Sequence, residues 1–283
     1  MDVKRIMVVG AGTMGSGIAQ VAAQAGFKVI LRDVDEKLTS RGLEIIRGSL
    51  DRFLKKGSIT EAQKEETLSN VRTSTALADA KDCDLVIEAV TENLELKLGL
   101  FRELDGICSN GVIFCSNTSS LPVTQMALAT SRPERFAGMH FFNPVPMMKL
   151  VEVVRGPLTS DSTVQLVRDV ALRMGKEPVD AKDTPGFIFN RLIVPYLNEA
   201  VWAVYEGVGS PADIDKAMKL GGNMPIGPLA LLDLIGLDVQ LHVSEIFHHE
   251  FGDPKFAPCP LLRQMVRAGQ HGKKSGKGFF NYA

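Results

Sequence analysis

Residues 4–33 read KRIMVVGAGTMGSGIAQVAAQAGFKVILRD, and this stretch decides the fold. KRIMVV (4–9) is a short apolar run of strand length. Gly10-Ala11-Gly12-Thr13-Met14-Gly15 follows at once. A helical pattern starts at Ser16 and stops at Gly26. A second apolar run, Phe27 to Leu31, leads to Arg32 and Asp33. The order is strand, glycine turn, helix, strand, acid, and each part has a physical task. The first glycine permits the tight turn, the second lets backbone approach a pyrophosphate, and the third lets helix and strand pack closely. The helix N-terminus then offers unpaired N–H groups and a positive dipole end to the phosphates. Asp33 lies 18 residues after Gly15, at the distance of an acid that grips the adenosine ribose. An aspartate there repels a 2′-phosphate, which favours NAD over NADP, although Arg32 beside it can soften the preference. The expected fold class is α/β, with a Rossmann-type, mostly parallel sheet.

Working outward, 35–56 is helical and stops at Gly57. Thr60-Glu61-Ala62-Gln63 fits a capping box and starts a second helix. A minimal nucleotide-binding unit would go straight to its third strand, so 35–69 is a helical-hairpin insertion. It presents Arg52, Lys55 and Lys56 around a turn, which charge alone would make a solvated face. Strands resume at 71–73 and 85–87. Asn93 caps a helix over 94–108, and another strand at 112–115 runs into Ser116-Asn117-Thr118-Ser119-Ser120. Polar residues directly after a buried parallel strand lie at the edge where open α/β sheets bind ligands.

Residues 139–153, MHFFNPVPMMKLVEV, place one His, one Asn and one Glu in an apolar run. If the two halves pair as an antiparallel hairpin centred on Pro146, His140 faces Glu152. Directly opposed side chains on one sheet face lie within reach of each other. A carboxylate beside a histidine orients the ring and fixes its tautomer, which makes His140 a general-base candidate. Asp161 is expected to cap a helix reaching Met174, and 177–179 to form a last strand. From Asp183-Thr184-Pro185-Gly186 onward no strand-like alternation appears. Segments 187–206, 211–219, 227–235, 238–250 and 260–268 all read as helices. The chain therefore divides into a nucleotide-binding domain over 1–184 and an all-α C-terminal domain over 185–283, whose apolar clusters suggest pairing with a second copy.

Composition narrows the function classes. The chain has 283 residues, 45% hydrophobic and 23% charged, with a formal net charge of -1. Such a balance gives no electrostatic case for nucleic acid or an anionic membrane. No apolar run is long enough to suggest a membrane span. Cys83, Cys108, Cys115 and Cys259 are scattered, which suits free thiols in a reducing, cytoplasmic setting. No His/Cys cluster has metal-ligand spacing, so no metal is expected.

The sequence closely resembles the 3-hydroxyacyl-CoA dehydrogenases, in particular the short bacterial 3-hydroxybutyryl-CoA dehydrogenases. The matching segments are VVGAGTMGSGIA (8–19), SNTSSL (116–121), AGMHFFNPVPMMKLVEVVRG (137–156), DTPGFIFNRL (183–192), IGPLALLDLIGLD (226–238) and KKSGKGFF (273–280). The resemblance implies reversible, NAD-dependent oxidation of a (3S)-3-hydroxyacyl-CoA to the 3-oxoacyl-CoA. It implies His140 as base with Glu152 as its partner, and Asn143 arranging the site. Ser119 and Asn190 would bind substrate near its 3-oxygen. Gly10, Gly12, Thr13, Met14, Gly15 and Asp33 would hold the cofactor, with Glu92, Lys97, Asn117 and Lys274 around it. Ser49 and Lys56 of the hairpin would contact CoA, and the C-terminal domain would form a homodimer. The rival on the same fold is a dehydrogenase of a free 3-hydroxy acid or sugar acid, which has no use for Ser49 and Lys56.

Overall fold

The computed structural model describes residues 2–282. They fall into two compact units, one ending at Thr184 and the other beginning at Pro185.

In chain order the first unit contains β1 (Arg5–Val9), α1 (Thr13–Gln24), β2 (Lys28–Arg32), α2 (Glu36–Lys55), α3 (Glu61–Ser69) and β3 (Val71–Ser74). Then come β4 (Leu85–Glu88), α4 (Leu94–Ile107), β5 (Ile113–Ser116), α5 (Val123–Ala127), β6 (Phe136–Phe141), β7 (Leu150–Arg155), α6 (Asp161–Arg173) and β8 (Glu177–Lys182). The strands form one eight-stranded sheet in the order β3-β2-β1-β4-β5-β6-β7-β8. Neighbours are parallel except β6 and β7, which run antiparallel. Strands β1, β4 and β5 are apolar on both faces, as helices on both sides require. Ile6, Val8, Leu31, Leu85, Ile87, Ile113 and Cys115 are buried in one core with Ile18, Ala22 and Phe27. Strand order reverses between β1, which leads to β2, and β4. Such a switch point opens a crevice at the C-terminal strand ends.

Several boundaries differ from the sequence reading. Helix α1 begins at Thr13, with Gly12 as N-cap, rather than at Ser16. The second half of the glycine motif is therefore the helix's first turn. Helix α6 is capped by Ser160, whose hydroxyl accepts from Thr163 N at 3.2 Å, while Asp161 is its first-turn acid. A hydroxyl and an acid in succession can each serve as cap, and the one whose backbone is extended takes the role. Strand β8 runs to Lys182, because β7 offers it a six-residue parallel partner. Helix α5 and a 3-10 segment at Leu77–Asp82 were not expected.

The second unit holds α7 (Phe189–Tyr205), α8 (Pro211–Gly221), α9 (Pro228–Ile235), α10 (Leu237–Phe251) and α11 (Pro260–Arg267). Helix α7 starts two residues later than its apolar pattern, since Phe187 takes a φ of 52°, outside the helical region. Leu197, Val201, Leu229, Leu232, Leu237 and Leu262 form its main core. Two buried aspartates brace it. Asp215 accepts from Leu229 N and Ala230 N at 2.8 and 2.9 Å, capping α9, which begins with Gly and Pro and has no cap of its own. Asp233 accepts from Phe279 N and Phe280 N at 2.9 Å and from the Tyr282 hydroxyl at 3.0 Å. Those bonds fasten the C-terminal KKSGKGFF segment to α9.

Candidate active site

The glycine turn joins β1 to α1 at the crevice. Gly10 has a φ of 106°, and a Cβ there would lie 2.5 Å from the Ala89 carbonyl oxygen at the end of β4. A Cβ at Gly15 would sit 1.7 Å from the Gly10 oxygen. Only glycine lets the turn, α1 and the end of β4 approach this closely. A cleft of about 660 Å³ opens beside them. Its walls include Gly10–Thr13, Asp33 at the end of β2, and Ala89–Thr91 at the end of β4. Gly12 makes no side-chain cap and α1 has no acid in its first turn, so its N–H groups are available to an anion. Asp33 is held in place: Oδ2 accepts from Ala11 N and Oδ1 from Val34 N, both at 2.7 Å. A carboxylate has about four lone-pair directions, so two remain for ribose hydroxyls. This donor set fits a dinucleotide. Arg41 of α2 also lines the cleft, and its exposed helix position carried no sequence signal.

A buried charge network lies at the same strand edge. Glu88, fully buried at the end of β4, accepts from Lys97 Nζ and Val90 N at 2.7 Å and from the Ser116 hydroxyl at 2.6 Å. Lys97, 1% exposed on α4, also pairs with Glu92 at 3.1 Å. Glu92 accepts from the Thr118 hydroxyl at 2.5 Å, from Ser119 N at 3.0 Å and from the Ser120 hydroxyl at 3.3 Å. Burial disfavours charge on Glu92, but Lys97 and these donors outweigh it and hold its carboxyl below the usual range. The 116–120 turn that carries Ser119 is thus tied to the two carboxylates that Lys97 of α4 holds. Glu88 was missed by the sequence reading, although an acid closing a four-residue buried strand is itself a signal.

His140 and Glu152 stand opposite each other in the β6–β7 register. His140 Nδ1 lies 2.7 Å from Glu152 Oε2, and the side chains are 7% and 0% exposed. The carboxylate accepts a hydrogen bond from Nδ1–H, which leaves the Nε2 lone pair as the basic one. Phe142 packs on the ring, with centroids 4.5 Å apart. Asn117 Oδ1 accepts from Phe141 N at 2.9 Å, linking the Ser/Asn turn to the residue after His140. Asn143 follows on the exposed turn, ahead of a cis bond to Pro144. Strand β6 is parallel to β5, so His140 near its C-terminal end belongs to the same edge as the glycine cleft.

The remaining candidates are carried by other elements. Ser49 is buried on α2, and Lys56 is exposed at that helix's C-terminus. Asn190 is in the first turn of α7. Lys274 Nζ pairs with Asp238 on α10 at 2.6 Å. Among the described residues no group of His, Cys, Asp and Glu is arranged to hold a metal ion, and no helix is long and apolar enough to cross a membrane.

Residues 5–184 match the family model of the 3-hydroxyacyl-CoA dehydrogenase NAD binding domain, and 186–282 that of the 3-hydroxyacyl-CoA dehydrogenase C-terminal domain. The chain belongs to the 3-hydroxyacyl-CoA dehydrogenase family. Its relatives include a "Probable 3-hydroxybutyryl-CoA dehydrogenase" of Bacillus subtilis, 51% identical over all of this chain and 98% of that protein. The human mitochondrial hydroxyacyl-coenzyme A dehydrogenase is 46% identical over 99% of this chain and 91% of that protein. The crystal structure of the (S)-3-hydroxybutyryl-CoA dehydrogenase of Ralstonia eutropha superposes with a TM-score of 0.97, at 48% identity and with both chains fully covered. As a 3-hydroxyacyl-CoA dehydrogenase, the chain carries its NAD-binding domain on the unit that holds the glycine cleft and the His140–Glu152 pair.

Proposed function

We propose that the protein is an NAD-dependent oxidoreductase that converts (3S)-3-hydroxyacyl-CoA, with 3-hydroxybutyryl-CoA as its short-chain substrate, reversibly to the 3-oxoacyl-CoA. The observation that carries this reading is the buried His140–Glu152 contact of 2.7 Å at the strand edge that also bears the dinucleotide cleft. When bound, NAD supplies the hydride acceptor. The chain's own residues manage the proton. His140 Nε2 takes it from the 3-hydroxyl, while Glu152 holds the opposite ring nitrogen and stabilises the imidazolium. In reduction the same imidazolium returns the proton. Ser119 and Asn190 donate to the 3-oxygen as charge develops on it, and Asn143 arranges the substrate beside His140.

Gly10, Gly12, Thr13, Met14 and Gly15 cradle the pyrophosphate, and Asp33 takes the ribose hydroxyls. Glu92, Asn117 and Lys274 border the cofactor, with Lys97 acting through the carboxylates it holds. Ser49 and Lys56 contact CoA, a phosphate-rich anion. The exposed apolar side chains of the second unit, among them Leu192, Val208, Leu220 and Leu234, support a homodimer formed through that unit. Four buried free thiols suit a reducing, cytoplasmic setting.

The deciding experiment is acetoacetyl-CoA reduction, with NADH and NADPH consumption followed in parallel. Rapid turnover with NADH and little with NADPH is expected. Turnover of free 3-hydroxybutyrate but of no CoA ester would overturn the substrate. Preference for NADPH would overturn the role given to Asp33.

A further inference from the structure

The turn between β6 and β7 carries Asn143 and begins two residues after His140. Its Pro144 carbonyl accepts from Met147 N and Met148 N at 2.9 and 3.0 Å. Val145 is its one fully buried side chain, and it packs on α1 at Gly17. A Cβ built on Gly17 would lie 2.8 Å from Val145 Cβ, so this glycine, outside the phosphate motif, makes room for the turn. The turn is also held by a charge. Lys176, between α6 and β8, is only 5% exposed. Its Nζ donates to the Val145 carbonyl at 2.5 Å and to the Met148 carbonyl at 2.9 Å. No carboxylate pairs with it among the described residues, and burial alone pulls its pKa below the ordinary lysine value.

A buried ammonium without a counter-charge is a costly way to close a turn, and a methionine would fill the same space at lower cost. What an ammonium adds is direction, because its protons fix two carbonyl oxygens of one turn. We infer that Lys176 is a positioning residue for the reaction: by clamping the β6–β7 turn against α1 it sets Asn143 and His140 relative to the cofactor helix. The inference rests on the dehydrogenase reading above.

The test is Lys176→Met in the full chain, with three measurements. These are steady-state reduction of acetoacetyl-CoA, thermal unfolding, and backbone hydrogen exchange over 142–149. The expected result is a kcat lower by about tenfold or more, since small displacements of reacting groups cost rate steeply. The KM for NADH should hold, Tm should hold or rise, and exchange at Met147 and Met148 should quicken. Gly17→Ala, which pushes on Val145 from α1, should lower kcat in the same way. An unchanged kcat, or a kcat and Tm that fall together, would overturn the inference, as would unchanged exchange in Lys176→Met. If the wild type turned over no acyl-CoA, the dehydrogenase reading would fail. The exchange rates would then still decide whether Lys176 fixes the turn.

Discussion

Glu152 Oε2 sits 2.7 Å from His140 Nδ1, directly across two antiparallel strands, with the carboxylate wholly buried. The pairing has a chemical direction. An ionised carboxylate only accepts hydrogen bonds, so the ring proton resides on Nδ1 and the lone pair on Nε2. His140→Ala should therefore cost about 10²–10⁴-fold in kcat with little change in NADH binding, as loss of a general acid–base group does. Glu152→Gln should cost less but alter the pH profile. A carboxamide can donate to Nδ1 and so place the proton on the nitrogen that must act as base. Near-normal turnover of His140→Ala would remove it as the base.

Asp33 is pinned by the N–H groups of Ala11 and Val34, so it cannot swing away from a 2′-phosphate. The same cleft is lined by Arg32 and Arg41. Asp33→Ser removes the like charge and leaves both cations. The ratio of kcat/KM for NADPH to that for NADH should then rise by about tenfold or more, which corresponds to only about 1.4 kcal/mol. An unchanged ratio would place the discrimination elsewhere in the cleft.

How far such relationships were legible beforehand depends on their range. The β6–β7 register was readable because a proline-centred turn and apolar flanks constrain where two short strands can meet. The glycine cleft was readable because Gly10 and Gly15 answer local steric needs, while Gly12 leaves open space at the helix N-terminus. The family resemblance sets Lys97 around the cofactor. Its spacing from Phe101 and Leu104 puts it on the buried face of α4, but no periodicity reveals that Glu88 and Glu92 meet it there, from the end of β4 and from the loop that follows. Helix α5 was invisible for a related reason. Its five residues are too few for a pattern, and its cap, Asp183, is 59 residues from Thr124.

That remote cap gives a stability prediction. Asp183 accepts from Val123 N at 3.0 Å, Thr124 N at 2.6 Å and the Thr124 hydroxyl at 2.5 Å. Pro122, at the N-cap position, has no side-chain donor or acceptor to replace it. Asp183→Ala should destabilise the first unit by about 1–2 kcal/mol, in the range of other lost caps, seen as a lower denaturant midpoint. Asp183→Asn, which keeps one acceptor oxygen, should lose less. Equal losses would mean that the charge matters more than the hydrogen bonds.

Glu92 supplies the pH dependence. Its folded-state carboxyl is held below the ordinary glutamate value: burial opposes this, but Lys97, Thr118 and Ser119 prevail. A depressed carboxyl contributes stability that is fully present above its unfolded pKa, and that contribution fades as pH falls through the folded value. At neutral pH the Lys97 pair and the bonds to the 116–120 turn are therefore intact. On acidification below the normal glutamate range, Glu92 takes up a proton and the turn bearing Ser119 loosens. The wild type should thus lose Tm as pH is lowered through the acidic range. Glu92→Gln should start from a lower Tm at neutral pH and lose less of it on acidification. Parallel curves for the two proteins would show that this carboxylate does not carry the acid sensitivity.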